Sequence, residues 1–155
     1  MTVQDIMTSD VQCCGPDTNL AEAAKMMWDS DCGALPVLNV QGRVVGMITD
    51  RDICMAAATK NKPACDITVW ETVSGKAHTC HMSDDVHTAL DIMKREKIRR
   101  LPVVDEEGVL QGIVAMNDVV LLAGEAKWGK APALSYEDVV RTLKAISAHR
   151  VIVGI

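Results

Sequence analysis

Phenylalanine is absent from the 155 residues, and tyrosine occurs once. An interior built without them falls to aliphatic side chains and to the nine methionines, whose unbranched thioethers adapt to irregular gaps. No apolar run approaches the ~20 residues that a membrane-crossing helix needs. The opening Met1-Thr2-Val3-Gln4-Asp5 has neither the basic nor the apolar stretch of an export signal. Positive charge is scarce too: 16 basic against 21 acidic residues leave a net charge of −5, which argues against non-specific nucleic-acid binding. No Cys-x-x-Cys pair occurs among Cys13, Cys14, Cys32, Cys54, Cys65 and Cys80. The expectation is reduced thiols in a cytoplasmic protein, several of them small core hydrophobes.

What is present is an internal repeat. Leu35-Pro36-Val37 returns 66 positions later as Leu101-Pro102-Val103. The same offset relates Gly42 to Gly108, Gly46 to Gly112, Asp52 to Asp118 and Val3 to Val69. In the first copy Asp17-Thr18-Asn19 offers helix caps, and Leu20, Ala23, Ala24 and Met27 follow at helical spacing. Leu35 to Val40 reads as a strand, Gln41-Gly42 as a hairpin turn, Arg43 to Ile48 as the returning strand, and Thr49-Asp50 as the start of a helix to about Ala58. The second copy predicts a helix from about Asp85 to Glu96, strands Leu101 to Val104 and Val109 to Val114 about a turn at Gly108, and a helix from Asn117. Leading strands near Val11 to Cys14 and Ala77 to Cys80 complete a β-α-β-β-α unit. The expected organisation is a first repeat over 1–60, a linker over 61–68, a second repeat over 69–122 and a C-terminal extension over 123–155. In that extension Ser135-Tyr136-Glu137-Asp138 reads as a capping box opening a helix over about 135–149. The apolar end, Val151-Ile152-Val153-Gly154-Ile155, is expected to pack on the domain or on a partner subunit.

The two segments Leu35-Pro36-Val37 with Gly46-Met47-Ile48-Thr49-Asp50-Arg51-Asp52, and Leu101-Pro102-Val103 with Gly112-Ile113-Val114-Ala115-Met116-Asn117-Asp118, make the chain resemble a tandem pair of CBS domains, a Bateman module. The resemblance covers nearly all of residues 3 to 122. It implies an α/β fold of two repeats packed about a pseudo-two-fold axis, with two clefts that bind adenosine-containing ligands. It also implies assembly as a homodimer. Such modules usually regulate an attached enzyme or transporter; none is expected in this chain, so the regulated protein is expected to be a separate partner.

The motif has a physical reading of its own. Backbone N–H groups at a helix start are unpaired and favour an anion. A Thr49 hydroxyl can donate to phosphate, and Asp52 can accept two ribose hydroxyls. Simple capping is the competing reading: Thr49 or Asp50 is the N-cap and Asp52 merely suits the first turn. Carried over from the family, the first cleft resembles a site of Met47, Thr49, Arg51, Asp52, Ala77, His78, Ile98, Arg99 and Arg100. The guanidinium of Arg99 would meet phosphate with charge-assisted bonds. The second would use Val11, Gln12, Cys32, Gly33, Ile113, Asn117 and Asp118. There Ala115 replaces the hydroxyl and Gly33 replaces the arginine, so a degraded site is expected.

The run Lys94-Arg95-Glu96-Lys97 suits a helix C-terminus, where cations are favoured. His78-Thr79-Cys80-His81, with His87 nearby, holds soft ligands, but on a strand only His78 and Cys80 share a face. No metal site is expected from them. No G-x-S-x-G, Walker loop or metal-ligand spacing points to catalysis. The resemblance implies a regulatory adenine-nucleotide sensor (AMP, ADP or ATP) with no obligatory cofactor. The alternatives are a dimerisation module with empty clefts, or a binder of S-adenosylmethionine or another adenosyl ligand.

Overall fold

The computed structural model describes residues 1–73, 75–125 and 131–148. The chain runs α1 (Leu20–Asp29), β1 (Ala34–Leu38), β2 (Val44–Thr49), α2 (Asp50–Thr59), β3 (Cys80–His81), α3 (Val86–Glu96), β4 (Arg100–Val104), β5 (Leu110–Ala115), α4 (Met116–Leu122) and α5 (Tyr136–Ser147), with short 3-10 turns at Val3–Asp5 and Ala64–Asp66. Strands β1 and β2 pair antiparallel, Leu35 opposite Ile48 and Val37 opposite Gly46, with an irregularity at Leu38. Strands β3, β4 and β5 form a sheet in that order.

Helix starts fall where the caps predict. The side chains of Asn19, Thr49, Asp85 and Ser135 each accept a backbone N–H in the first turn of α1, α2, α3 and α5. This satisfies donors that a helix start leaves orphaned. The predicted leading strands are shorter than expected. Cys14 forms a single bridge to Val37, and on the second side only Cys80–His81 is strand.

The chain divides into two compact units. The first contains Ser9–Ala77 and Val104–Gly112. Its core joins Leu20, Ala23 and Met27 of α1 to Leu35, Val37 and Ile48 of the hairpin, Ile53 and Ala56 of α2, and Ile67 and Val69. The segment read as a linker therefore divides. Its middle forms the Ala64–Asp66 turn, while Ile67 is fully buried. Val73 lies so close that a Cβ on Gly46 would come within 2.8 Å of its Cγ1. The hairpin tips also meet in this unit: Arg43 bridges Val109, Val44 N–H donates to the Gly108 carbonyl (3.2 Å), and Leu110 N–H donates to Gly42 (3.1 Å). Both tips turn through glycines with positive φ, +76° at Gly42 and +79° at Gly108, a region that suits glycine.

The second unit contains Met1–Thr8, His78–Val103 and the described residues from Ile113 onward. Val86, Ala89, Leu90 and Met93 of α3 pack with Leu101, Val103 and Val114, Met116 and Val119 of α4, and Leu134 and Val139 of the extension. Val3 and Ile6 complete it.

The 66-residue offset holds at the level of single hydrogen bonds. Leu20 N–H donates to the Ile67 carbonyl as Val86 N–H donates to Met1. Val69 N–H donates to Thr18 as Val3 N–H donates to Asp84. Each leading segment thus lies on the helix of the other repeat: residues 67–73 on α1, residues 1–7 on α3. The buried methionines Met27 and Met93, and the buried cysteines Cys14 and Cys80, are equivalent pairs. All six cysteines are free. Burial pushes the Cys14 thiol up to about 11 and the Cys80 thiol to about 12, so both are inert small hydrophobes.

Helix α5 ends at Ser147, with Ala148 as its C-cap. His149, at the predicted end of that helix, and the apolar tail 151–155 lie outside the described residues. No described helix is long and apolar enough to cross a membrane.

Candidate functional site

Two helix starts carry the motif residues, one in each unit. In the first, Thr49 and Asp52 close a full capping box. Asp52 N–H donates to Thr49 Oγ1 (3.1 Å), while Thr49 N–H (3.0 Å) and Thr49 Oγ1 (2.7 Å) both donate to Asp52 Oδ2. The hydroxyl proton of Thr49 is therefore committed, and Asp52 Oδ1 accepts no bond from the described residues. Asp52 also lines an open groove of about 270 Å³ with Met55, Thr59, Glu71 and Thr72. Glu71 and Thr72 are not among the residues expected at this site. The one available signal was Thr68-x-x-Glu71, which repeats the Thr2-x-x-Asp5 pattern at the 66-residue offset; both pairs form boxes. The backbone and hydroxyl of Thr68 hold the Glu71 carboxyl below its ordinary value.

In the second unit Asp118 Oδ2 accepts Ala115 N–H at 2.8 Å, but Ala115 has no hydroxyl to return a bond. The box is half made, and Asp118 stays half-buried at the start of α4.

The other expected residues are divided between the units. Met47, Arg51 and Ala77 of the first set and Val11, Gln12, Cys32 and Gly33 of the second lie in the first unit. His78, Ile98, Arg99 and Arg100 of the first set, with Ile113 and Asn117 of the second, lie in the second unit. Within the units, backbone bonds show direct neighbours. Asp50 N–H donates to the Gly33 carbonyl at 3.1 Å, placing Gly33 beside the Thr49 box. Met116 N–H donates to the Arg99 carbonyl at 2.9 Å, placing Arg99 beside the Ala115 half-box. Arg51, Arg99, Arg100 and Asn117 are exposed, while Met47, Ile98 and Ile113 are half-buried. Ile98 and Cys32 pack against the cores of their own units.

His78 is exposed, and its Nε2 lies 3.4 Å from Glu96 Oε2. The Arg95 guanidinium, 2.6 Å from Glu96, is the main group holding that carboxyl below its ordinary value; His78 adds to it. His81 Nδ1 is buried and makes no hydrogen bond in the described structure. Among the described residues no group of three or more His, Cys, Asp or Glu is placed to hold a metal ion.

Comparison with known proteins identifies the family and the fold. The CBS domain family matches residues 3–59 and 69–124. The chain is 31% identical over 144 residues to the CBS domain-containing protein YhcV of Bacillus subtilis, covering 89% of this chain and 98% of that protein. It is 31% identical to hypoxic response protein 1 of Mycobacterium tuberculosis, covering 76% and 82%. Among solved structures it is similar to the CBS domain pair of protein MJ0100 in complex with 5′-methylthioadenosine and S-adenosyl-L-methionine, at TM-score 0.71 and 29% identity over 79% of this chain and 94% of that one. It is also similar to CBSX2 in complex with AMP, at TM-score 0.66 and 26% identity over 77% and 93%.

Proposed function

The chain belongs to the CBS-domain family as a tandem pair, and we propose that it is a regulatory module that binds an adenosine-containing ligand and changes the behaviour of a partner protein. The observation that carries this reading is its likeness to CBS pairs solved with adenosyl ligands. Asp52 is the ribose-binding carboxylate, through the Oδ1 that its capping box leaves free. The Thr49 hydroxyl is already bonded to that carboxylate, so its first task is to orient Asp52. Phosphate contact falls to the exposed Arg99, with Arg51 and Arg100. Met47, Ala77, His78 and Ile98 complete the set. Val11, Gln12, Cys32, Gly33, Ile113, Asn117 and Asp118 form the weaker one.

The ligand acts by binding two states of the module unequally. The module itself performs no chemistry, needs no resident cofactor and works in the cytoplasm, where its six free thiols stay reduced. It pairs with a second copy of itself. Leu121 is 83% exposed, and Val120 and Leu122 of α4 and Tyr136 and Val140 of α5 are exposed as well, apolar area that suits burial.

A thermal-shift panel of adenosine, AMP, ATP, 5′-methylthioadenosine and S-adenosylmethionine tests the reading. A ligand at 100 times its Kd stabilises by ~2.7 kcal/mol. No shift with any of them at millimolar concentration overturns it in favour of a dimerisation module with unused half-sites, the reading that the closed Thr49–Asp52 box favours. Sedimentation at micromolar concentration is expected to show a dimer; a monomer removes that part of the proposal.

A further inference from the structure

Helix α5 lies outside the residues that match the family. It is docked on α3 by an apolar stripe: Leu134 and Val139 are in the core of the second unit, and Leu143 and Ile146 pack against it. Thr142 is fully buried, its hydroxyl donating to the Asp138 carbonyl at 2.7 Å. Polar contacts close both ends of the stripe. At one end Lys97 Nζ donates to the Ala148 carbonyl at 2.8 Å, a cation on the C-terminus of α5. At the other end His87 is placed between two carboxylates from two helices. Its Nδ1 is 2.8 Å from Asp85 Oδ1, the N-cap of α3. Its Nε2 is 3.5 Å from Asp138 Oδ2, in the first turn of α5.

We propose that His87 is a pH-weighted latch for the C-terminal helix: as an imidazolium it ties Asp85 to Asp138, and on losing its proton it releases the N-terminal end of α5. A neutral imidazole has one N–H and can donate to only one of the two carboxylates, whereas the charged form donates to both. The groups that face His87 are Asp85 before α3 and Asp138 on α5. The amino group of Met1, on the N-terminal segment, faces the other Asp85 oxygen at 3.7 Å.

The bond to Asp85 is the largest effect and raises the His87 pKa; burial comes next and opposes it, and the charges of Asp138 and Asp85 add to the rise, so the net shift is upward. Both carboxyls are held below their ordinary values, so they stay ionised throughout the range in which histidine titrates. The sign follows. A group whose docked-state pKa is raised stabilises docking fully below its undocked pKa and loses that contribution as pH rises through the docked value. The undocked imidazole keeps its Asp85 bond, so its pKa also lies above the ordinary ~6.5; docking is firmest below that undocked value and loosens as pH rises through the docked one. The Asp85 bond is made within α3 and its cap and survives release. Only the Asp138 half is linked to docking, which keeps the effect small.

The test is amide hydrogen exchange of the full chain at pH 6 and pH 8, corrected for intrinsic rates. Protection of Val139 to Ile146 is expected to fall about two- to fivefold between the two, the range of an exposed ion pair. His87→Gln is expected to abolish the difference and to exchange at both pH values as the wild type does at pH 8. Lys97→Met is expected to lower protection equally at both, keeping the pH dependence. As a second readout, an NMR titration is expected to give a lower His87 pKa in Asp138→Asn than in the wild type. Wild-type protection that does not change with pH, a dependence that persists in His87→Gln, or a His87 pKa that ignores Asp138→Asn overturns the latch.

Discussion

The starts of α2 and α4 are the same structure made with different residues. In both, an aspartate at the third helical position accepts the N–H of the residue before the helix, Thr49 at 3.0 Å and Ala115 at 2.8 Å. The first adds a hydroxyl that bonds the same carboxylate and accepts the Asp52 N–H; the second has a methyl group. The neighbours differ as well: Gly33 lies against the full box and Arg99 against the half-box. The backbone path therefore needs only the aspartate. The hydroxyl is additional. It either strengthens the cap or fixes the carboxylate for a ligand, and substitutions at the two starts separate those roles.

The largest effect is expected at the carboxylates themselves. Asp52→Ala removes a charged acceptor worth ~1.5–3 kcal/mol per bond, so AMP or ATP affinity is expected to fall roughly ten- to hundredfold by calorimetric titration. Asp118→Ala is expected to cost several times less. The reverse order would move the stronger site to the second repeat. Arg99→Ala comes next. Its penalty is expected to grow from adenosine to AMP to ATP, because charge-assisted bonds to phosphate are what it loses. An equal loss for all three would show that Arg99 does not meet phosphate.

Most of the fold was legible because its signals are local. Asn19, Thr49, Asp85 and Ser135 are good caps wherever they occur, and each starts a helix. The repeat was legible in the same way. Its offset reaches down to Asn39 and Asp105, whose side-chain oxygens each accept two N–H groups in equivalent turns. The exchange of leading segments was not legible. An offset says that Met1 corresponds to Ile67, but not that Ile67 packs on the first repeat's helix and Met1 on the second's. Ile67 falls inside the expected linker over 61–68, yet it is fully buried against the first repeat's core. The sites were legible only as residue types. Thr-x-x-Asp has the same letters whether it caps a helix or holds a ribose, and the structure shows the capping bonds already made.

Stability measurements sharpen the comparison further. Gly46→Ala is expected to cost ~1–3 kcal/mol, because the new Cβ would meet the stiff Val73 side chain at 2.8 Å in a packed core. Denaturant unfolding measures this; a neutral result would mean that the 67–73 segment shifts freely. Thr49→Ala is expected to cost ~0.5–2 kcal/mol, the loss of a helix cap. Ala115→Thr is expected to return part of that amount by completing the second box. If the two substitutions move stability in the same direction, the starts are not equivalent and the hydroxyl of Thr49 is not chiefly a cap.

The smallest effect is expected where the two repeats leave their first helices. Asp31 and Lys97, equivalent residues after α1 and α3, both take left-handed backbone conformations, with φ of 49° and 56°. The N–H of the next residue then closes each helix end, Cys32 on Met27 and Ile98 on Met93. A side chain in that conformation costs ~1 kcal/mol that glycine avoids, although glycine gives some of this back through the entropy of the unfolded chain. Asp31 makes no side-chain bond among the described residues, so Asp31→Gly is expected to raise Tm by one or two degrees, on the scale of about 2–4 °C per kcal/mol for a chain of this size. Lys97→Gly relieves the same strain but loses the bond from Lys97 Nζ to the Ala148 carbonyl, so its Tm is expected to stay where it was. Equal gains at both positions would show that the Lys97 contact adds nothing to the docking of α5.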